Sequence, residues 1–137
     1  MNQADQLDHL NRLGNNSMVD HLGIVFTDMG ENFLCGKMPV DYRTTQPLGY
    51  LHGGASTAFA ETLASIAGTI QVDIKKQFCM GLEINANHIK KVQSGWVYGK
   101  ATSIHIGKNS QVWQIRITND EDELVCISRM TLAVINK

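Results

Sequence analysis

The chain reads as an α+β protein, an antiparallel sheet with one long central helix on its face. Three observations predict this. Small and apolar residues recur at helical spacing from about His52 to Gln71. Four consecutive strand-like segments follow that helix, and a hairpin precedes it. No internal repeat, low-complexity segment or long linker divides the 137 residues, so residues 1–137 form a single domain.

Each element has its own signal. Leu7, Leu10 and Leu13 predict a short helix over Asp5 to Leu13. His21 to Thr27 (HLGIVFT) reads as a strand, and Asp28 to Asn32 (DMGEN) as a turn centred on Gly30. Phe33 to Val40 (FLCGKMPV) returns as a second strand. Asp41 to Leu51 is a loop that carries Arg43, Gln46, Pro47 and Gly49. In the central helix, Ala55, Phe59, Leu63, Ile66 and Ile70, flanked by Ala58 and Thr62, make one apolar stripe. A second stripe, Gly54, Thr57, Glu61, Ser65 and Gly68, is small apart from Glu61, so another backbone can come close.

After the helix, Phe78, Met80, Leu82, Ile84 and Ala86 alternate with Cys79, Gly81, Glu83 and Asn85, which is strand periodicity. Trp96 to Ile106 is the next strand, followed by the GKNS turn from Gly107 to Ser110. Val112 to Thr118 places Trp113, Ile115 and Ile117 on one face. An acidic turn, Asn119 to Glu123, leads to a long final strand over Leu124 to Ile135. That strand is apolar on much of both faces, as an interior strand is. One such sheet must cover its helix and its edges. The simplest cover is a second copy, so a homodimer or a dimer of dimers is expected.

Composition removes several classes. The formal charge is -1 and charged residues make up 18%, which argues against nucleic-acid binding. The 43% hydrophobic content argues against disorder. No apolar run approaches the ~20 residues of a membrane span. The amphipathic N-terminal stretch does not resemble a signal peptide, so a cytoplasmic protein is expected. Cys35, Cys79 and Cys126 are far apart in apolar or small surroundings and read as reduced packing residues. No pair has zinc-ligand spacing, and no metal is expected.

The chemistry concentrates between Gln46 and Gly68 (QPLGYLHGGASTAFAETLASIAG). Glu61 is an acid among small and apolar neighbours, and burying a carboxylate costs free energy unless it is paired or used. The plainer alternative is an exposed or salt-bridged helix residue. At 100° per residue Glu61 borders the apolar arc, which points it into a seam. Gly53 and Gly54 stand where the helix begins, and free N–H groups there can meet a developing negative charge. An acid on a helix beside oxyanion donors suggests acyl-transfer or hydrolytic chemistry. His52 either caps the helix or orients a carbonyl. The Gln46 amide can bind a water or an acyl oxygen. Ser65 follows Glu61 by one turn, as a packing residue or as a partner of the carboxylate. His88, Lys90 and Lys91 form either a solvated edge or a phosphate-attracting one, and Lys108 and Ser110 share the second option. No GxGxxG, P-loop, GxSxG or HExxH pattern is present.

Together, HLGIVFTDMGE, MPVDYRTTQPLGYLHGGAS, AETLASIAG, EINANHIKKV, HIGKNSQVWQI and SRMTLAVI resemble the hotdog-fold thioesterases over nearly the whole chain. The likeness is to the branch of phenylacetyl-CoA thioesterases, the Arthrobacter-type 4-hydroxybenzoyl-CoA thioesterase, and the enterobacterial menaquinone and enterobactin thioesterases. It implies a sheet wrapped around the central helix, subunits paired edge to edge, and active sites between them. It implies Glu61 as nucleophile or general base and the Gly53 N–H as donor to the thioester oxygen. Gln46 and His52 would come from the partner subunit, and Ser65 would position water. His88, Lys90, Lys108, Asn109 and Ser110 would lie near coenzyme A, which is part of the substrate; no cofactor is implied. Met80, within Phe78–Cys79–Met80, would shape the acyl pocket. Lys90-Lys91 stands where relatives often carry Arg-Pro. The resemblance implies an acyl-CoA thioesterase for aromatic or related acyl groups, such as 1,4-dihydroxy-2-naphthoyl-CoA in menaquinone biosynthesis, in a homotetramer. The alternatives are proofreading of mis-acylated aryl carrier protein and a non-catalytic acyl-CoA-binding protein.

Overall fold

The computed structural model describes residues 2–137. Its elements run α1 (Gln3–Leu13), α2 (Met18–His21), β1 (Val25–Met29), β2 (Phe33–Pro39), α3 (Gly53–Ile70), β3 (Gln77–His88), β4 (Trp96–Ile106), β5 (Ser110–Thr118) and β6 (Leu124–Asn136). The six strands form one antiparallel sheet in the order β1-β2-β4-β5-β6-β3. The last strand is inserted between β5 and β3, so both of its hydrogen-bonding edges are paired. Helix α3 lies across one face of the sheet. The expected α+β arrangement is the observed one.

The core forms where α3 meets the sheet. Phe59, Leu63, Ala60 and Ala64 are fully buried against Leu34, Val97, Trp113, Ile115, Ile117 and Leu132. Gly36 and Gly99 face each other across β2 and β4 and let these side chains in. A methyl group at Gly99 would stand 2.5 Å from a Leu63 methyl and 3.0 Å from the Phe59 ring. Gln111 is the largest buried polar side chain. It accepts from Trp113 Nε1 at 2.9 Å and donates to the Gly68 carbonyl at 3.3 Å, tying the end of α3 to the sheet.

Three local expectations are corrected. The segment from His21 does not begin a strand. Ser17 caps a single helical turn, α2, by accepting from the Val19 N–H, and Gly23 at φ +74° breaks the backbone before β1. The helix stripe is rotated: Ser56, Phe59, Ala60, Leu63, Ala64, Ala67 and Gly68 are buried, whereas Ala58, Thr62 and Ile66 face a cleft. The alternation in β3 breaks at a bulge. Gly81 pairs with Leu132 and Glu83 with Thr131, so Leu82 is an extra residue and the phase flips across it. Cys79 therefore faces inward, as do Ile84 and Ala86, while Phe78, Met80 and Leu82 are exposed.

The two sheet edges differ. On β1, Asn11 of α1 mimics a strand: its amide donates to the Phe26 carbonyl at 3.1 Å and accepts from the Phe26 N–H at 2.8 Å. Gln3 reaches the Met29 carbonyl in the same way at 2.9 Å. On β3 no element of the chain covers the outer edge among the described residues. All three cysteines are free, Cys126 buried and the other two half-buried. No helix of the described residues is long and apolar enough to cross a membrane.

Candidate active site

The loop before α3 is held by Thr44, whose hydroxyl donates to the Pro39 carbonyl at 2.7 Å. Further along, the Leu51 N–H donates to Val92 and the His52 N–H to Thr44. This fixes the start of α3. His52 is the N-cap, and its Nδ1 accepts from the Gly54 N–H at 2.7 Å. The Gly53 N–H finds no acceptor among the described residues and faces a cleft of about 500 Å³. Gln46, Tyr50, His88, Lys90 and Lys91 line the same cleft. The Gln46 amide oxygen accepts from the Leu48 N–H, which leaves its NH2 group free to donate. The His88 ring packs on Gly53 so closely that a methyl group there would stand 2.9 Å from Nε2.

The two lysines are held rather than loose. Lys90 Nζ lies 2.9 Å from Glu123 Oε2, and Lys91 Nζ lies 5.1 Å from the centre of the Tyr50 ring. The Lys90 hydrogen bond, then one from Asn119, holds the Glu123 carboxyl below its usual range. Glu123 and Tyr50 carry no motif of their own, so the sequence did not single them out.

Glu61 sits elsewhere. Eight residues beyond Gly53 it is about 12 Å further along the helix axis. Its side chain is exposed and points to the β3 bulge, where a methyl group on Gly81 would stand 3.6 Å from Oε2. On its other side opens a cleft of about 410 Å³ between α2 and α3. Ser65 lines that cleft with Glu61, as the helical spacing predicts.

The remaining predicted residues lie at the far end of the sheet. Met80 pairs with Ala133, which pairs with Ser110. The GKNS turn is pinned there, since Asn109 accepts from the Val134 N–H at 2.9 Å. His88 pairs with Cys126 instead. From Cys126 to Ala133 is seven residues, or about 23 Å of strand. One chain thus gathers Gln46, Gly53, His88 and Lys90 in one cleft, with His52 capping the helix beside it. Glu61 and Ser65 stand at a second place. Met80, Lys108, Asn109 and Ser110 stand at a third. No signal in the sequence pointed to Met18 and Val19 of α2 or to Leu22 at its C-cap, which form one wall of the Glu61 cleft.

A carboxylate at an apolar cleft and an unused N–H at a helix start are the groups that thioester hydrolysis needs. The comparisons agree. The sequence pattern of the thioesterase superfamily matches residues 48–126. A crystal structure of a thioesterase from Haemophilus influenzae is 51% identical and superposes with a TM-score of 0.92, covering 95% of this chain and 90% of its own. The 1,4-dihydroxy-2-naphthoyl-CoA hydrolase of Escherichia coli is 44% identical over 94% of each chain. The proofreading thioesterase EntH of Cronobacter sakazakii is 44% identical over 94% of this chain and 93% of its own. The chain belongs to the thioesterase superfamily and is a thioester hydrolase of the hotdog fold.

Proposed function

We propose that this protein is an acyl-CoA thioesterase whose active sites are shared between two copies of the chain. One observation carries this reading. Helix α3 runs antiparallel to β3: Gly53 touches His88, Glu61 lies by Gly81, and the Gly68 carbonyl lies 3.5 Å from Cys79 Sγ. The groups required at one carbonyl are thus split along one helix. Strand β3 is also the bare edge, and an edge of this length invites pairing.

Antiparallel self-pairing of β3 centred between Ile84 and Asn85 sets the partner's His88 opposite Gly81. The partner's Gly53 travels with it and arrives near the level of Gly81, beside Glu61. The same operation brings the GKNS turn of one chain to the His88–Lys90 end of the other. All three groups of predicted residues then lie at one level of the paired sheet, with Gln46 and His52 supplied by the partner.

The chemistry follows. Glu61 attacks the thioester carbonyl, or takes a proton from the water that does. The Gly53 N–H of the partner subunit receives the oxyanion. The C–S bond breaks and coenzyme A leaves as its thiol, taking the proton released by the water; on the nucleophilic route that water hydrolyses the anhydride formed on Glu61, which frees the acid and restores the carboxylate. Ser65 holds the water at the Glu61 cleft, and Lys90, Lys91 and the GKNS turn face the phosphates of coenzyme A.

The acyl group is aromatic or related to it, such as 1,4-dihydroxy-2-naphthoyl. A carrier-protein thioester is the second reading, because the naphthoyl-CoA hydrolase and the proofreading relative are equally similar at 44%. Thiol release from benzoyl-CoA, 1,4-dihydroxy-2-naphthoyl-CoA and hexanoyl-CoA tests the proposal, with Glu61→Ala beside the wild type. Release that collapses in the variant supports it. Binding without release from any of the three would move the substrate to a carrier protein or make the chain a sensor.

A further inference from the structure

The cleft between α2 and α3 has no role in binding coenzyme A in the arrangement above. Its walls are Met18 and Val19 on α2 and Leu22 at that helix's C-cap, with Ala58, Thr62 and Ile66 on successive turns of α3. Glu61 and Ser65 stand at its polar side. An apolar cleft with a few convergent polar groups is the form that a small-molecule site takes. Leu22 is 6% exposed and belongs to the core, whereas Met18 is 63% exposed. Met18 is therefore the outer wall, held over the cleft by one helical turn. A methionine in that place is unbranched and adaptable, and it follows the shape of what it covers.

We infer that Met18 is a specificity-determining residue: its side chain closes the acyl cleft beside Glu61 and sets the bulk of the apolar acyl group that fits. This rests on the acyl-CoA thioesterase reading above. The occupant is fixed by chemistry. A group in this cleft has its carbonyl at Glu61 and its body against Met18, Ala58 and Ile66. Among the described residues no lysine, arginine or histidine lines the cleft, and Glu61 repels a second carboxylate there. Aromatic and aliphatic acyl groups suit it, and dicarboxylic ones do not.

The test uses full-length wild type, Met18→Ala and Met18→Trp, with Glu61→Gln as the inactive control. It measures kcat/KM for benzoyl-CoA, 2-naphthoyl-CoA and succinyl-CoA. Alanine widens the cleft, so the naphthoyl to benzoyl ratio should rise by about tenfold, and tryptophan should lower it by a similar factor. Both variants should melt with the wild type, because Met18 is mostly exposed. A ratio that stays put in both folded variants, or moves the same way in both, overturns the inference. Succinyl-CoA turned over as well as benzoyl-CoA overturns the apolar class. These failures leave Glu61-dependent hydrolysis standing. Wild type that hydrolyses none of the three overturns the acyl-CoA reading and this inference with it.

Discussion

Replacing Gly53 with proline should remove one N–H and little else. Gly53 is the first residue of α3, a position where proline is well tolerated because that N–H has no helical partner. The preceding residue, His52, has φ -70° and ψ 130°, the extended conformation that a following proline requires. The new Cβ would stand 2.9 Å from His88 Nε2. Gly53→Ala adds the same Cβ and keeps the N–H, so the difference between the two variants isolates the donor. Loss of one oxyanion donor should lower kcat by ~10²–10³, with KM and melting temperature close to those of the alanine variant. Equal kcat in the two variants would refute the donor role.

The same variant tests the shared site. Gly53→Pro and Glu61→Gln are each expected to be nearly inactive. If the two residues act on one carbonyl from different chains, refolding an equal mixture gives hybrids with one intact site. Half of the dimers are then hybrids with one working site of two, so about a quarter of wild-type activity per subunit should return. Activity that stays at the parental background would place the whole site within one chain.

Three further outcomes are expected. Gln111→Leu strands the buried Trp113 N–H, which loses its 2.9 Å acceptor, and should cost ~1–3 kcal/mol in denaturant unfolding while the fold is kept. The Lys90–Glu123 pair should be pH-dependent. Glu123 is held below its usual range, so the pair is complete above the ordinary carboxylate range and is lost as pH falls through the lowered value; NMR titration of the Glu123 carboxyl carbon reads this directly. Burial pushes the Cys126, Cys79 and Cys35 thiols up. A disulfide reagent should therefore label the native protein slowly, Cys126 slowest, and label all three rapidly in denaturant.

Much of the fold was legible because its signals are local. The strand over Trp96 to Ile106 lies where its pattern placed it, and Trp113, Ile115 and Ile117 share the buried face their alternation predicted. What failed depends on distant partners. A period of two continues through Leu82 in the sequence, but pairing with β6 makes Leu82 a bulge, and no local pattern records that. Ala58, Thr62 and Ile66 are apolar enough for a core, yet they face a cleft because α2 stands off there. Helix α2 itself is four residues, too short to show a period. The chemistry-bearing types were visible one by one. Their division into three places, with Gly53 beside His88 and Glu61 beside Gly81, follows from the sheet order and could not be read from spacing.

The insertion of β6 between β5 and β3 also bears on biosynthesis. During translation β3 emerges with no neighbour on either side, and nothing synthesised over the next thirty-five residues pairs with it. Its exposed Phe78, Met80 and Leu82 must wait for the last strand before the sheet is continuous. The slowest contacts to form are thus those between segments far apart in the chain. A ribosome stalled before Leu124 would display a sticky, orphaned strand, and a frameshift within β6 would cost more than the residues it replaces.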